Sequence, residues 1–238
     1  MRQDAAAGGS IPYVISPEDL IQGSLKNYCG VVLDCETGDY LGTTVLFVPP
    51  DPGQEGAHFP RSGKSSWVTS INVVGARSEV LVRNSKKETH VAQLLLTSSA
   101  FGLVFLSVHT WPGTFGLAFL RMVTGPSSLP HRQFVEPQCG DRVYVLGFEA
   151  NWESGIIADV RLRPAKVISS VHGDVVKVDF TAGQLGGMLT TPRGFMGGLV
   201  VRADGYWTGL ITCHALPNHP ELADFASASK IYSLLEEL

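Results

Sequence analysis

The sequence predicts an all-β protein folded as two six-stranded antiparallel barrels, and three observations carry that prediction. Short segments rich in β-branched and aromatic residues recur along the chain, each bounded by Gly, Pro, Asn, Asp or Ser. They fall into two series, separated by the turn-rich stretch Gly125-Pro126-Ser127-Ser128-Leu129-Pro130. With 238 residues, 44% of them hydrophobic, the chain has enough apolar surface to build two packed lobes.

Met1 to Ser10 is small and polar and reads as a frayed tail, part of a leader spanning 1–15. Ser16-Pro17-Glu18-Asp19 places an N-cap, a proline at the first helical position and acids in the first turn, which predicts a short helix through Leu25. Strands are then expected over Tyr28 to Leu33, Gly42 to Val48, Ser66 to Val74, Glu79 to Arg83, His90 to Leu96 and Leu103 to Val108. These belong to a first lobe over 16–124, followed by a connector over 125–139. The second lobe, over 140–238, is expected to use Arg142 to Phe148, Ser154 to Leu162, Ala165 to Val171, Val175 to Phe180, Gly197 to Arg202 and Trp207 to His214. A further strand, Leu117 to Val123, precedes the connector. Within Ser227 to Leu238, Ile231, Leu234, Leu235 and Leu238 recur at helical spacing and predict a C-terminal helix laid on a barrel.

Composition excludes several functions. The formal net charge is -4 and Lys and Arg form no cluster, so the chain lacks the concentrated positive charge that phosphate neutralisation needs. No nucleic-acid partner is expected. Cys29, Cys35, Cys139 and Cys213 lack CxxC spacing, and His58, His90, His109, His131, His172 and His219 lack metal-ligand spacing. Reduced thiols, no metal and no cofactor follow as expectations. The longest apolar run, from Ala92 to Val108, is broken by Thr97-Ser98-Ser99 and is too short to span a bilayer. With no secretory signal at the start, an intracellular protein, cytoplasmic or nuclear, is expected.

Gly194-Phe195-Met196-Gly197-Gly198 runs into the apolar segment Leu199 to Arg202, the turn Asp204-Gly205 and a second apolar segment from Trp207 to Ile211. This hairpin resembles the nucleophile loop of trypsin-like serine proteases, Gly-x-Ser-Gly-Gly-Pro followed by two strands. Three further stretches resemble the high-temperature-requirement (HtrA/Deg) branch of that family, in family order. Thr37 to Phe47 is similar to its Gly-x-Gly-Phe strand, and Trp67-Val68-Thr69-Ser70-Ile71-Asn72-Val73-Val74 to the Leu-Thr-Asn-Ala-His-Val-Val strand. Gly140-Asp141-Arg142-Val143-Tyr144-Val145-Leu146-Gly147-Phe148 is similar to Gly-Asp-x-Val-x-Ala-Ile-Gly-x-Pro. The resemblance runs from Tyr28 to Ala215 and implies the chymotrypsin-like fold.

Its catalytic positions are all altered. The histidine position falls on Asn72, whose amide takes up no proton near neutral pH. The aspartate position falls on Gly102 or, in a second register, on Gly116, and the serine position on Met196, a thioether with no proton to surrender. Cys213-His214 is a nucleophile beside a base, but neighbours on a strand face opposite ways. The resemblance therefore implies a pseudoprotease with no catalytic residues that binds a protein or extended peptide or acts as a scaffold. Two alternatives remain: an active serine-type endopeptidase with its nucleophile elsewhere, and a purely structural domain of a larger assembly. The glycines around Met196 suit either a retained anion pocket or a tight turn. A vestigial cleft of Gly194, Phe195, Met196, Gly197, Trp207 and Leu210 is the expected binding surface, by strand addition, with core packing the alternative for Trp207 and Met196.

Overall fold

The structure, a computed structural model, describes residues 17–47, 66–108, 135–151, 156–170, 173–178, 195–216, 219–227, 230–231 and 234. It opens with helix α1 (Pro17–Leu25) and a short 3-10 turn (Lys26–Tyr28). A first closed barrel follows, made of β1 (Cys29–Leu33), β2 (Tyr40–Phe47), β3 (Ser66–Ser70), β4 (Glu79–Arg83), β5 (Thr89–Ser98) and β6 (Leu103–Val108), in the order β1-β2-β3-β6-β5-β4. The second closed barrel contains β7 (Arg142–Asn151), β8 (Ile156–Ser170), β9 (Gly173–Val178), β10 (Leu199–Arg202), β11 (Trp207–Leu216) and β12 (His219–Ser227), in the order β10-β11-β12-β9-β8-β7. Every pairing is antiparallel, and closure leaves neither sheet with an unpaired edge strand.

Several strands are apolar without alternation because both of their faces are buried. In β6, Val104 and Leu106 join the interior of the first barrel, while Leu103 and Phe105 face the second. In β7, Val143 and Val145 point into the second barrel, while Tyr144 and Leu146 face the first. The cluster between the barrels also takes in Ile21 and Leu25 of α1 and Ile231 and Leu234 near the C-terminus. Burying each such aliphatic side chain contributes about 1.5–3 kcal/mol, so the seam between barrels is as much a core as either interior.

Four sequence expectations change. The strand expected over Ser66 to Val74 stops at Ser70 and turns into α2 (Ile71–Val74). Ser70 caps that turn, its side chain accepting from the Asn72 amide, and Gly75 ends it at φ 63. The strands expected over Ser154 to Leu162 and Ala165 to Val171 give way, between Ile156 and Ser170, to one strand, β8, because Pro164 keeps its place in the register opposite Tyr144. β12 occupies His219–Ser227, where no strand was expected, and fills the place left for a sixth strand. Ser227 therefore ends a strand rather than opening a helix, while Lys230, Ile231 and Leu234 are helical. Leu117 to Val123 and the connector stretch Gly125 to Pro130 lie outside the described residues.

Candidate functional site

The site lies where β3 and α2 of the first barrel meet β11 of the second, and its centre is the carbonyl oxygen of Thr212. Ser70 Oγ donates to that oxygen at 2.6 Å and Asn72 Nδ2 donates to it at 2.9 Å. Because Ser70 also accepts from the Asn72 backbone amide at 3.0 Å, cap and carboxamide form one unit aimed across the seam. A carbonyl oxygen has two lone pairs, and both are engaged.

Gly102, in the turn between β5 and β6, reaches the same residue. Its carbonyl accepts from the Ile71 amide at 2.9 Å, and its backbone sits at φ 66. A Cβ built there would lie 3.3 Å from Thr212 Cβ, a contact that requires Thr212 to shift. Asn72 and Gly102 thus converge on Thr212, with neither a base nor a carboxylate at either place. Gly116, the second register for the acid, lies outside the described residues, as does Gly194.

The loop carrying Met196 is wedged between the barrels. The Thr43 amide donates to the Met196 carbonyl at 2.8 Å, the Gly197 amide to Ile211 O at 2.9 Å, and the Gly198 amide to Phe195 O at 2.8 Å. A Cβ on Gly197, which sits at φ 78, would fall 1.9 Å from Thr43 O and 2.4 Å from Thr69 Oγ1. On Gly198 it would fall 2.4 Å from Leu146 O. Close approach of main chain therefore accounts for both glycines, and both of their N–H groups are spent inside the protein. The half-buried Met196 side chain packs on the interior cluster of the first barrel, as do Leu41 and Ile71.

The remaining expected cleft residues are core. Phe195 is fully buried inside the second barrel, where its ring also closes over Gly147. Leu210 and Trp207 belong to the seam, Trp207 making an edge contact with Tyr28 at 5.7 Å between ring centroids. Cys213 is half-buried, and its thiol is pushed up by burial and then by Asp224, the residue opposite it on β12; this holds it in the poorly nucleophilic thiol form. Thr43 and Thr212 carry no signal in the sequence, and Ser70 carries one, a serine followed five residues later by glycine. Among the described residues no cluster of His, Cys, Asp or Glu could hold a metal ion, and no helix is long and apolar enough to cross a membrane.

This is the two-barrel fold of the trypsin-like serine proteases. The chain is similar to the Rv3671c protease of M. tuberculosis in its active form, with a TM-score of 0.58 and 16% identity over 99% of this chain and 92% of that one. The inactive form of that protease gives a TM-score of 0.56 and 15% identity over 92% of each chain. The serine endoprotease from Yersinia pestis gives a TM-score of 0.58 and 16% identity over 94% of this chain and 68% of that one. No protein-family model matches the chain, and no curated protein matches it.

Proposed function

We propose that this chain is a catalytically silent trypsin-like domain, a pseudoprotease, that acts as a protein-binding or scaffolding module. The observation that carries the reading is the convergence of Asn72 and Gly102 on Thr212, with Met196 in the facing loop. By the HtrA/Deg-like resemblance these fall at the places of base, acid (Gly102, with Gly116 the second register) and nucleophile, and none of them can move a proton or attack a carbonyl. Repair is also obstructed, because an aspartate at Gly102 would have to adopt left-handed backbone against Thr212.

A second reading, a structural domain with its cleft closed, draws on two observations. Met196 packs on the first barrel, and the Thr212 carbonyl is already doubly bonded, so an extended peptide cannot use that oxygen to add a strand. Catalytic silence is tested with a fluorophosphonate probe and casein, on the wild type and on Met196→Ser. No adduct and no cleavage are expected from either, since a serine without a base is a weak nucleophile. Labelling above a heat-denatured control would overturn the reading. Met196→Asp separates the two roles: a melting temperature lowered by many degrees is expected for a closed cleft, and an unchanged one for an open binding surface.

A further inference from the structure

We propose that a cleft distinct from the Thr212 site is a binding site for a small organic anion, a carboxylate or phosphate joined to an apolar body. The cleft has a volume of about 430 Å³, within the roughly 300–1,000 Å³ typical of small-molecule sites. It is built where three parts of the molecule meet: α1 with the turn after it, the β4–β5 turn, and the β7–β8 pair. It shares no residue with the Asn72, Gly102, Thr212 and Met196 site.

Charge defines the polar half of the ligand. Lys26, Arg83 and Lys87 line the cleft against one carboxylate, Asp159, an excess of two positive charges (three minus one) in a chain whose net charge is -4. Among the described residues none of these three cations forms an ion pair, and Arg83 is engaged only through Nε, which donates to Thr89 Oγ1 at 3.3 Å. Guanidinium and ammonium groups left in this state and gathered around one concavity favour an anion. The floor defines the other half. Ile157, half-buried, lines the cleft over the buried Val31, Phe148 and Val160, so a bare anion would leave its apolar surface uncovered.

The β4–β5 turn holds its lysine in place. Asn84 Oδ1 accepts from the backbone amides of Lys86 at 2.9 Å and Glu88 at 3.0 Å, while Asn84 Nδ2 donates to Glu88 Oε2 at 2.8 Å. That bond ties the Glu88 carboxylate to Asn84, and Glu88 is not part of the cleft wall. Lys87 is the only non-glycine residue at positive φ among the described residues, at 66°. Glycine would suit that backbone better, so a lysine there is held at a conformational cost at the rim of a basic cleft.

Isothermal titration of the full chain with 1-naphthyl phosphate and with 1-naphthoate reads the site, with inorganic phosphate and uncharged 1-naphthol as controls. At least one organic anion is expected to bind about tenfold or more tightly than either control, and to weaken as salt rises. Which of the two binds assigns phosphate or carboxylate as the anionic group. Lys26→Glu and Lys87→Glu, at exposed positions, are each expected to weaken binding by about tenfold with melting unchanged. Lys87→Gly should raise the melting temperature, because glycine fits the turn, and still weaken binding. Failure of both organic anions to bind, equal binding of 1-naphthol, or full affinity in the two glutamate variants would overturn the proposal.

Discussion

The two barrels contribute differently to the seam that joins them. The first barrel contributes mostly side chains: Tyr40 OH donates to Phe148 O, Thr43 Oγ1 accepts from the Phe148 amide, and Ser70 and Asn72 donate to Thr212 O, with the Thr43 amide, bonded to Met196 O, the main-chain exception. From the second comes main chain, at Phe148, Met196 and Thr212. Buried polar residues occur on both sides: Thr43, Thr44, Thr69 and Ser70 on strands of the first barrel, and Thr208, Thr212 and Ser227 on strands of the second. A seam built this way is sensitive to side-chain substitution on one side and to backbone room on the other.

The largest effect should come from that backbone room. Gly197→Ala places a methyl group into Thr43 O and should cost about 4 kcal/mol or more in denaturant unfolding. Gly205→Ala, at φ 90 but with nothing within 4 Å, should cost only the backbone strain, about 1–2 kcal/mol. Comparable losses at the two positions would mean that the wedge against the first barrel does not limit the loop. Next in size is Thr43→Val, which leaves the buried Phe148 amide without its acceptor and should cost about 1–3 kcal/mol. Its counterpart on β11 of the second barrel, Thr208→Val, removes one bond to Val200 O and should cost about 1 kcal/mol or less. A reversed order would contradict the asymmetry of the seam.

The smallest contrast is in pH dependence, where a carboxyl of each barrel has the opposite sign. In the first barrel, backbone amides of the Asp34 turn, above all that of Thr37, and the Arg77 guanidinium hold the Asp34 carboxyl down to about 2. A lowered folded value means stability that is present above the unfolded value, about 3.9, and lost as pH falls toward 2. Asp34→Asn should flatten that acid limb in melting curves taken between pH 5 and pH 2. In the second barrel burial pushes the Asp224 carboxyl up. The folded state then binds the proton more tightly, so stability falls as pH rises through the range between the unfolded and folded values. Asp224→Asn should raise the melting temperature at neutral pH, with a gain that shrinks on acidification. A loss at neutral pH would show that the charged form is favoured by the fold.

Strand content and the two-barrel plan were legible in the sequence because turn residues bound each apolar run and burial on both faces removes alternation without removing β-branched composition. β12 was not legible. His219-Pro220-Glu221 opens it with a proline and two polar residues, and only pairing with β9 and β11 makes a strand of it. The helical turn α2 was hidden for the opposite reason, since Ile71, Val73 and Val74 are good strand residues overruled by caps at Ser70 and Gly75. At the site, motif order proposes positions but says nothing of the partner at their centre. Thr212 acts through its main-chain oxygen, which its side-chain identity does not announce, and Phe195, Trp207 and Leu210 look alike in sequence whether they wall a groove or fill a core.

That single oxygen also ties the barrels at two points. Its two donors come from residues two apart on one capped turn, at 2.6 and 2.9 Å, so a slide of one barrel past the other at this place stretches both bonds together. In mechanical terms Thr212 O is a double pin, and the seam here cannot shear without releasing both donors at once.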